Sequence, residues 1–262
     1  MALVDRYDCF LFDLDGVLLR GEMAVPGAVE AVQQVRARGA RVVFVTNNSA
    51  RIPEEIATRL SRVGIRAEPG EVVTSALATA ELLAGDGARS AFVVGERGIR
   101  DALAHGGIDV LDGEPEAVDA VVVGWDRAAD FAKLRTACLL VQRGARLVAT
   151  NADVAYPAPD GLWPGAGALL SVVTLTTGVE PEVVGKPSPA LFRTALHRAG
   201  GGRPLVIGDR LDTDVAGAAA IGWDSLLVLT GVSREADLAT SEKHPTYVGA
   251  DLRVLTVEPG PG

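Results

Sequence analysis

Short apolar runs alternate along the chain with stretches whose apolar positions recur at helical spacing. Residues 8–12, 41–45 and 71–74 read as β-strands, with helical patterns at 28–38 and 53–63 between them. Strands separated by helices predict βαβ units and a parallel sheet, so the chain opens as a Rossmann-like α/β fold. A second series follows, with strand patterns at 90–95, 120–124 and 146–149 and helical patterns near 98–104, 129–142 and 166–177. A third has strands at 204–207 and 225–229, with helical patterns at 190–199 and 215–221. Glycine and proline punctuate residues 85–87 and 178–181, bracketing the middle series. The expectation is one domain of residues 1–76 and 179–262, split by an inserted α/β domain at 77–178. No fixed-period repeat and no low-complexity segment interrupts this pattern.

Composition narrows the partners. The 262 residues are 48% hydrophobic, enough for one large domain or two modest ones. Twenty-five Lys and Arg against 34 Asp and Glu leave a net charge of −9, which argues against a nucleic-acid polymer or an anionic membrane as partner. Any anionic ligand must therefore be met locally. Cys9 and Cys138 stand far apart and outside any CxxC arrangement, so neither a disulfide framework nor a zinc site is expected. No apolar run precedes the first acids, and no stretch is apolar enough to span a bilayer, so a cytoplasmic protein is expected.

Four segments carry candidate chemistry. The strand pattern ending in Phe12-Asp13-Leu14-Asp15-Gly16-Val17 runs straight into two carboxylates. In an open α/β sheet ligands bind beyond the carboxyl ends of strands, which would place a nucleophile beside a proton donor. At the end of the next strand, Thr46-Asn47-Asn48-Ser49 offers four hydroxyl or amide side chains ahead of a helix, groups suited to an anion or to ordinary helix capping. Gly185-Lys186-Pro187-Ser188-Pro189 sets one lysine before a helix, either a fixed charge for a phosphoryl group or a solvated lysine. Gly208-Asp209-Arg210-Leu211-Asp212-Thr213-Asp214 ends another buried-strand pattern in acids, hard oxygen ligands suited to Mg²⁺ or an ordinary acidic loop. Pro187 and Glu180 exclude a P-loop at Lys186. Gly165-Ala166-Gly167 lacks the rest of a dinucleotide fingerprint and reads as a helix start, which removes a dinucleotide-dependent oxidoreductase from consideration. His105, His197 and His244 lie outside every motif, and Trp125, Trp163 and Trp223 read as core or rim aromatics.

In this order and at predicted strand ends, the four segments resemble the haloacid dehalogenase (HAD) superfamily, and within it the NagD-like phosphatases of subfamily IIA. The likeness spans nearly the whole chain and includes Val123-Gly124-Trp125-Asp126, Ala149-Thr150-Asn151-Ala152-Asp153 and Pro164-Gly165-Ala166-Gly167. It implies an inserted C2-type cap on a HAD core, and a Mg²⁺-dependent phosphomonoester hydrolase working through an aspartyl-phosphate. Asp13 would be the nucleophile and Asp15 the general acid and base. Mg²⁺ would be bound by the Asp13 carboxylate, the Asp15 backbone carbonyl and Asp209. Asp214 would orient a metal-bound water or Lys186. Thr46, Asn47 and Lys186 would hold the phosphoryl group. Asn151, Asp153 and Tyr156 of the cap would set substrate specificity, although Tyr156 is equally readable as a packing aromatic.

Small phosphorylated metabolites are the expected substrates, glycerol 3-phosphate or 2-phosphoglycolate ahead of nucleotides, sugar phosphates and pyridoxal phosphate. A phosphotransferase or phosphomutase on the same fold is one alternative, and a non-catalytic phospholigand-binding protein is another. Intact Asp13 and Asp15 weigh against the latter, since binding alone needs neither a nucleophile nor an acid. Homodimerisation is common in the resembled subfamily, but no stripe in the sequence establishes it.

Overall fold

The computed structural model describes residues 2–158 and 160–256, which divide into two compact units. The first comprises residues 1–46, 53–73 and 186–262, and the second residues 47–52 and 74–185.

In the first unit a six-stranded sheet runs in the order Tyr247–Gly249, Asp224–Val228, Pro204–Gly208, Cys9–Phe12, Arg41–Thr46, Val72–Thr74. Cys9–Phe12 pairs in parallel with Pro204–Gly208 on one side and Arg41–Thr46 on the other. All four residues of Cys9–Phe12 are buried, so both faces of this strand are covered, as parallel sheets require. The pleat sorts the faces. Phe10 and Phe12 lie level with Leu205, Ile207, Val42 and Phe44, and all six join one core cluster with Val32 and Val35 of helix Ala28–Ala37 and Ile56 and Leu60 of helix Pro53–Arg62. Each such side chain contributes roughly 1.5–3 kcal/mol by leaving water.

Strand order decides where chemistry can gather. From the central strand Cys9–Phe12 the chain builds outward through Arg41–Thr46, and it later returns to lie on the other side as Pro204–Gly208. The crevice at such a reversal, beyond the carboxyl ends, is the ligand position of open α/β sheets. Asp13 and Asp209 are the residues immediately past those two strands.

The second unit has its own five-stranded sheet, ordered Glu182–Val183, Arg146–Ala149, Ala120–Val123, Ser90–Val94, Asp109–Val110, with all neighbours parallel. Helices Phe131–Gln142 and Ala166–Thr177 bury Ala137, Leu140, Val141, Leu170 and Val173 against Val121, Val123 and Leu147. A hairpin of Ala155–Ala158 and Gly161–Pro164 projects residues that are largely exposed.

Several elements lie outside the sequence expectation. Helix Ser75–Gly85 opens the second unit where punctuation had suggested a break, because its run is apolar on nearly every face and shows no helical contrast. The Leu19–Arg20/Met23–Ala24 hairpin has strands of two residues, too short for a period-2 signal. A π-helical turn at Leu211–Val215 precedes helix Ala216–Ala220. Among the described residues no helix is long and apolar enough to cross a membrane.

Candidate active site

Asp13, Asp209 and Asp214 each bring a carboxylate oxygen within 4.8 Å of the others. Backbone structure fixes all three. Asp13 continues the central strand, its N–H donating to the Ile207 carbonyl at 2.8 Å. The Asp209 carboxylate accepts the Val232 N–H at 2.7 Å and lies in a cradle of two glycines. A Cβ at Gly16 would come within 2.4 Å of Asp209 Oδ2, and one at Gly231 within 1.9 Å, so no larger residue fits either place. Gly16 also adopts φ +86°, a conformation that side chains resist. Asp214 sits in the π-helical turn, its Oδ2 accepting the Thr213 hydroxyl at 3.2 Å. Turns of this kind recur at functional sites.

Lys186 enters the cluster from a turn three residues before helix Pro189–Arg198 begins. Its Nζ donates to Asp13 Oδ1 at 2.5 Å and to Asp214 Oδ1 at 2.7 Å, and its side chain is only 4% exposed. Burial opposes its charge, but the adjacent Asp13 and Asp214 carboxylates more than offset this and raise its pKa, so the ammonium persists. For Asp13, burial outweighs the attraction of Lys186 and raises the carboxyl pKa well above the usual range, with Asp214 and Asp209 adding repulsion. Asp209 is pushed up to about 6, first by burial and then by the Asp214 charge. Two buried acids and the half-buried Asp13 thus share one ammonium and carry an excess of negative charge. Such an arrangement suits a divalent cation, since a hard cation takes carboxylate oxygens and removes the repulsion.

Asp15 is placed differently. Its carboxylate is outside that group, with a side chain 64% exposed, and accepts Arg59 Nη2 at 3.2 Å. Its backbone is held by a bridge to Leu19 and by the neighbouring Gly16 N–H donating to the Leu19 carbonyl at 2.8 Å.

Of the four polar residues from Thr46, which ends the Arg41–Thr46 strand, to Ser49, two are absorbed by the fold. Asn48 Oδ1 accepts the Ala50 and Arg51 N–H groups, capping its own turn, and buried Ser49 accepts the Thr150 hydroxyl at 2.9 Å. Thr46 is buried at the strand end in the first unit, and Asn47 begins the second. There Asn47 donates from Nδ2 to Asp153 Oδ2 at 3.3 Å, and its carbonyl accepts Asn151 Nδ2 at 2.9 Å and the Ser75 hydroxyl at 2.7 Å. The Gly165 N–H donates to Val154 and the Gly167 N–H to Asp153, so the start of helix Ala166–Thr177 braces the Asp153 loop. Tyr156 stacks on Trp125 with ring centroids 4.4 Å apart, and Arg127 lies over the Trp125 ring at 5.2 Å while bonding Glu96. Trp125 is thus a rim aromatic with a defined partner.

Comparison with known proteins shows the family. A family model for haloacid dehalogenase-like hydrolases matches residues 10–109, and a HAD-hydrolase-like model matches residues 183–255. A D-glycerol 3-phosphate phosphatase of Mycobacterium tuberculosis is 40% identical over 100% of this chain and 76% of its own length. The chain belongs to the haloacid dehalogenase-like hydrolases. An acid sugar phosphatase of Staphylococcus saprophyticus is 38% identical over 97% of this chain and 98% of its own length. The crystal structure of a glycerol phosphate phosphatase from M. tuberculosis in complex with magnesium superposes with a TM-score of 0.93 at 40% identity, covering 97% of this chain and 78% of that one. This hydrolase therefore falls among the phosphatases of its family.

Arg59, Thr230 and the Gly231-Val232 segment also hold residues of the site, and no sequence motif marks them. The Thr230 hydroxyl donates to the Gly16 carbonyl at 2.6 Å and Val232 bonds Asp209, contacts that join residues more than 20 positions apart. A local signal existed only for Arg59, a cation one place from the buried Leu60 on an amphipathic helix.

Proposed function

We propose that this phosphatase hydrolyses phosphate monoesters of small polyols or sugars through an aspartyl-phosphate on Asp13, with Mg²⁺ as cofactor. The observation that carries this reading is the buried cluster in which Asp13, Asp209 and Asp214 meet one ammonium. Asp13 attacks phosphorus, the bond to the ester oxygen breaks, and Asp15 gives that oxygen its proton. Asp15 then accepts a proton from water, whose oxygen attacks the same phosphorus, releasing inorganic phosphate and restoring the Asp13 carboxylate. Lys186 balances charge on the transferring group, and Thr46 and Asn47 hold its oxygens.

The acid cluster fits the cation. The Asp13 and Asp209 carboxylates and the Asp15 carbonyl would hold Mg²⁺, with Asp214 steadying Lys186, a contact of 2.7 Å. When bound, the ion offsets the repulsion between a carboxylate nucleophile and a phosphate dianion.

The first unit acts as the catalytic core, and the second as a cap whose Asn151, Asp153 and Tyr156 select the leaving group. Glycerol 3-phosphate leads among substrates because a glycerol phosphate phosphatase shares 40% identity with this chain. Sugar phosphates follow, supported by the acid sugar phosphatase at 38%. Phosphate release from glycerol 3-phosphate, 2-phosphoglycolate, sugar phosphates, nucleoside monophosphates, pyridoxal phosphate and p-nitrophenyl phosphate, with and without Mg²⁺, tests the assignment. Release that needs Mg²⁺ and favours a polyol or sugar phosphate is expected. Undiminished release after chelation, or transfer to an acceptor exceeding hydrolysis, would overturn it.

A further inference from the structure

Asp15 is the exposed member of the proposed machinery. Its backbone is fixed by the Leu19 bridge, yet its carboxylate stands outside the buried cluster, on the side of the chain that meets helix Pro53–Arg62. From the last turn of that helix Arg59 reaches back across 44 positions of sequence. One nitrogen, Nη2, donates both to Asp15 Oδ1 at 3.2 Å and to the Gly21 carbonyl at 2.7 Å. Gly21 lies at the tip of the Leu19–Arg20/Met23–Ala24 hairpin, and Glu22 beside it is 3.6 Å from Arg59 Nε.

The guanidinium is itself well anchored. Its side chain is 17% exposed, flanking the Ile56, Ala57 and Leu60 stripe that buries the helix. Its buried Nε makes no hydrogen bond and faces the Glu22 carboxylate at 3.6 Å. The hairpin is also tied from its other strand, where Arg20 donates to the Thr230 carbonyl at 2.6 Å and Thr230 to the Gly16 carbonyl. Backbone and hairpin are therefore fixed without Arg59. What Arg59 adds is a restraint on the Asp15 side chain, which otherwise turns freely in water about two torsions.

We propose that Arg59 is a positioning residue for Asp15, holding its carboxylate at the Gly21 turn and so limiting the positions from which it serves the ester oxygen. The inference rests on the acid and base role of Asp15 given above. Its signature follows from the chemistry: a poor leaving group such as a glycerol alkoxide needs a well-aimed proton, whereas p-nitrophenolate departs with little help. The first irreversible step, captured by kcat/KM, must then lose more in an Arg59 variant as the leaving group becomes more basic.

The test measures kcat/KM on a series from p-nitrophenyl phosphate to glycerol 3-phosphate for the wild type, Arg59→Met, Arg59→Lys and Asp15→Asn, together with thermal unfolding of each protein without metal or substrate. Misplacing an acid by about an ångström costs on the order of 10²-fold, so Arg59→Met is expected to lose about that on glycerol 3-phosphate and less than about 5-fold on p-nitrophenyl phosphate. Arg59→Lys should recover part of the loss, and both variants should melt within a few degrees of wild type. A loss equal on every ester in Arg59→Met, while Asp15→Asn remains steeply dependent on the leaving group, would overturn the role of Arg59 and leave that of Asp15 standing. A uniform loss that tracks a large fall in melting temperature would likewise make Arg59 structural. A flat profile in Asp15→Asn itself would remove the acid role and the inference with it.

Discussion

In the first unit Asp209, Asp214 and Lys186 are buried and Asp13 is half-buried beside them, all close to one another and fixed by strand ends, a π-helical turn and glycines that leave no room for a side chain. Asn151, Asp153 and Tyr156 in the second unit stand on a loop and a hairpin, with Tyr156 40% exposed and held chiefly by its stack on Trp125. The first arrangement is determined by backbone hydrogen bonds and charge, and tolerates almost no substitution. The second depends on a few side-chain contacts that other residues could replace. Chemistry common to a family belongs on the first kind of support, and choice of substrate on the second.

The sharpest way to break this contrast is to remove Lys186. Lys186→Met strands three carboxylates in one buried site, which should destabilise the metal-free protein by about 3–5 kcal/mol and lower kcat by roughly 10²- to 10³-fold. Thermal unfolding together with turnover measures both, and an unchanged melting temperature would mean that the cluster is less closely coupled than its 2.5 and 2.7 Å contacts indicate. In the other region, Tyr156→Ala should alter preference more than power. The ratio of kcat/KM for glycerol 3-phosphate to that for a sugar phosphate is expected to change roughly 3- to 10-fold, the range of an aromatic contact, with little loss of stability. Unaltered preferences across the panel would make Tyr156 a packing aromatic.

The smallest effect concerns the support behind that aromatic stack. The Arg127 side chain bonds Glu96 and holds its carboxyl pKa below the ordinary value. A carboxylate with a depressed folded-state pKa stabilises above its unfolded pKa, and that contribution disappears as pH falls through the folded value. Glu96→Gln should therefore cost no more than about 1 kcal/mol near pH 7, and the difference from wild type should shrink as pH falls below the ordinary glutamate range. A difference that persists in acid would assign the loss to packing around Arg127 and Trp125.

The strands, their parallel arrangement and the acids at their ends are legible because short continuous apolar runs and the residues that follow them are local signals. Asp13 and Asp209 follow buried strands in sequence as they do in space. Asn47 was harder: its residue type suggested an anion cradle, but its grouping with Asn151 and Asp153 depends on contacts about 100 positions away. Helix Ser75–Gly85 was hidden by its even apolar character, and the short hairpin at residues 19–24 by strands of two residues. Arg59 escaped notice because its meaning lies in a partner 44 positions upstream, which helical periodicity cannot reveal.

The proposed mechanism passes through a phosphoryl group on Asp13. Rapid acid quench during turnover of a labelled phosphate monoester, followed by peptide mapping, should find the phosphoryl group on the peptide containing Asp13 and find no label in Asp13→Asn. Turnover without any covalent label, or label mapped to another residue, would contradict the account.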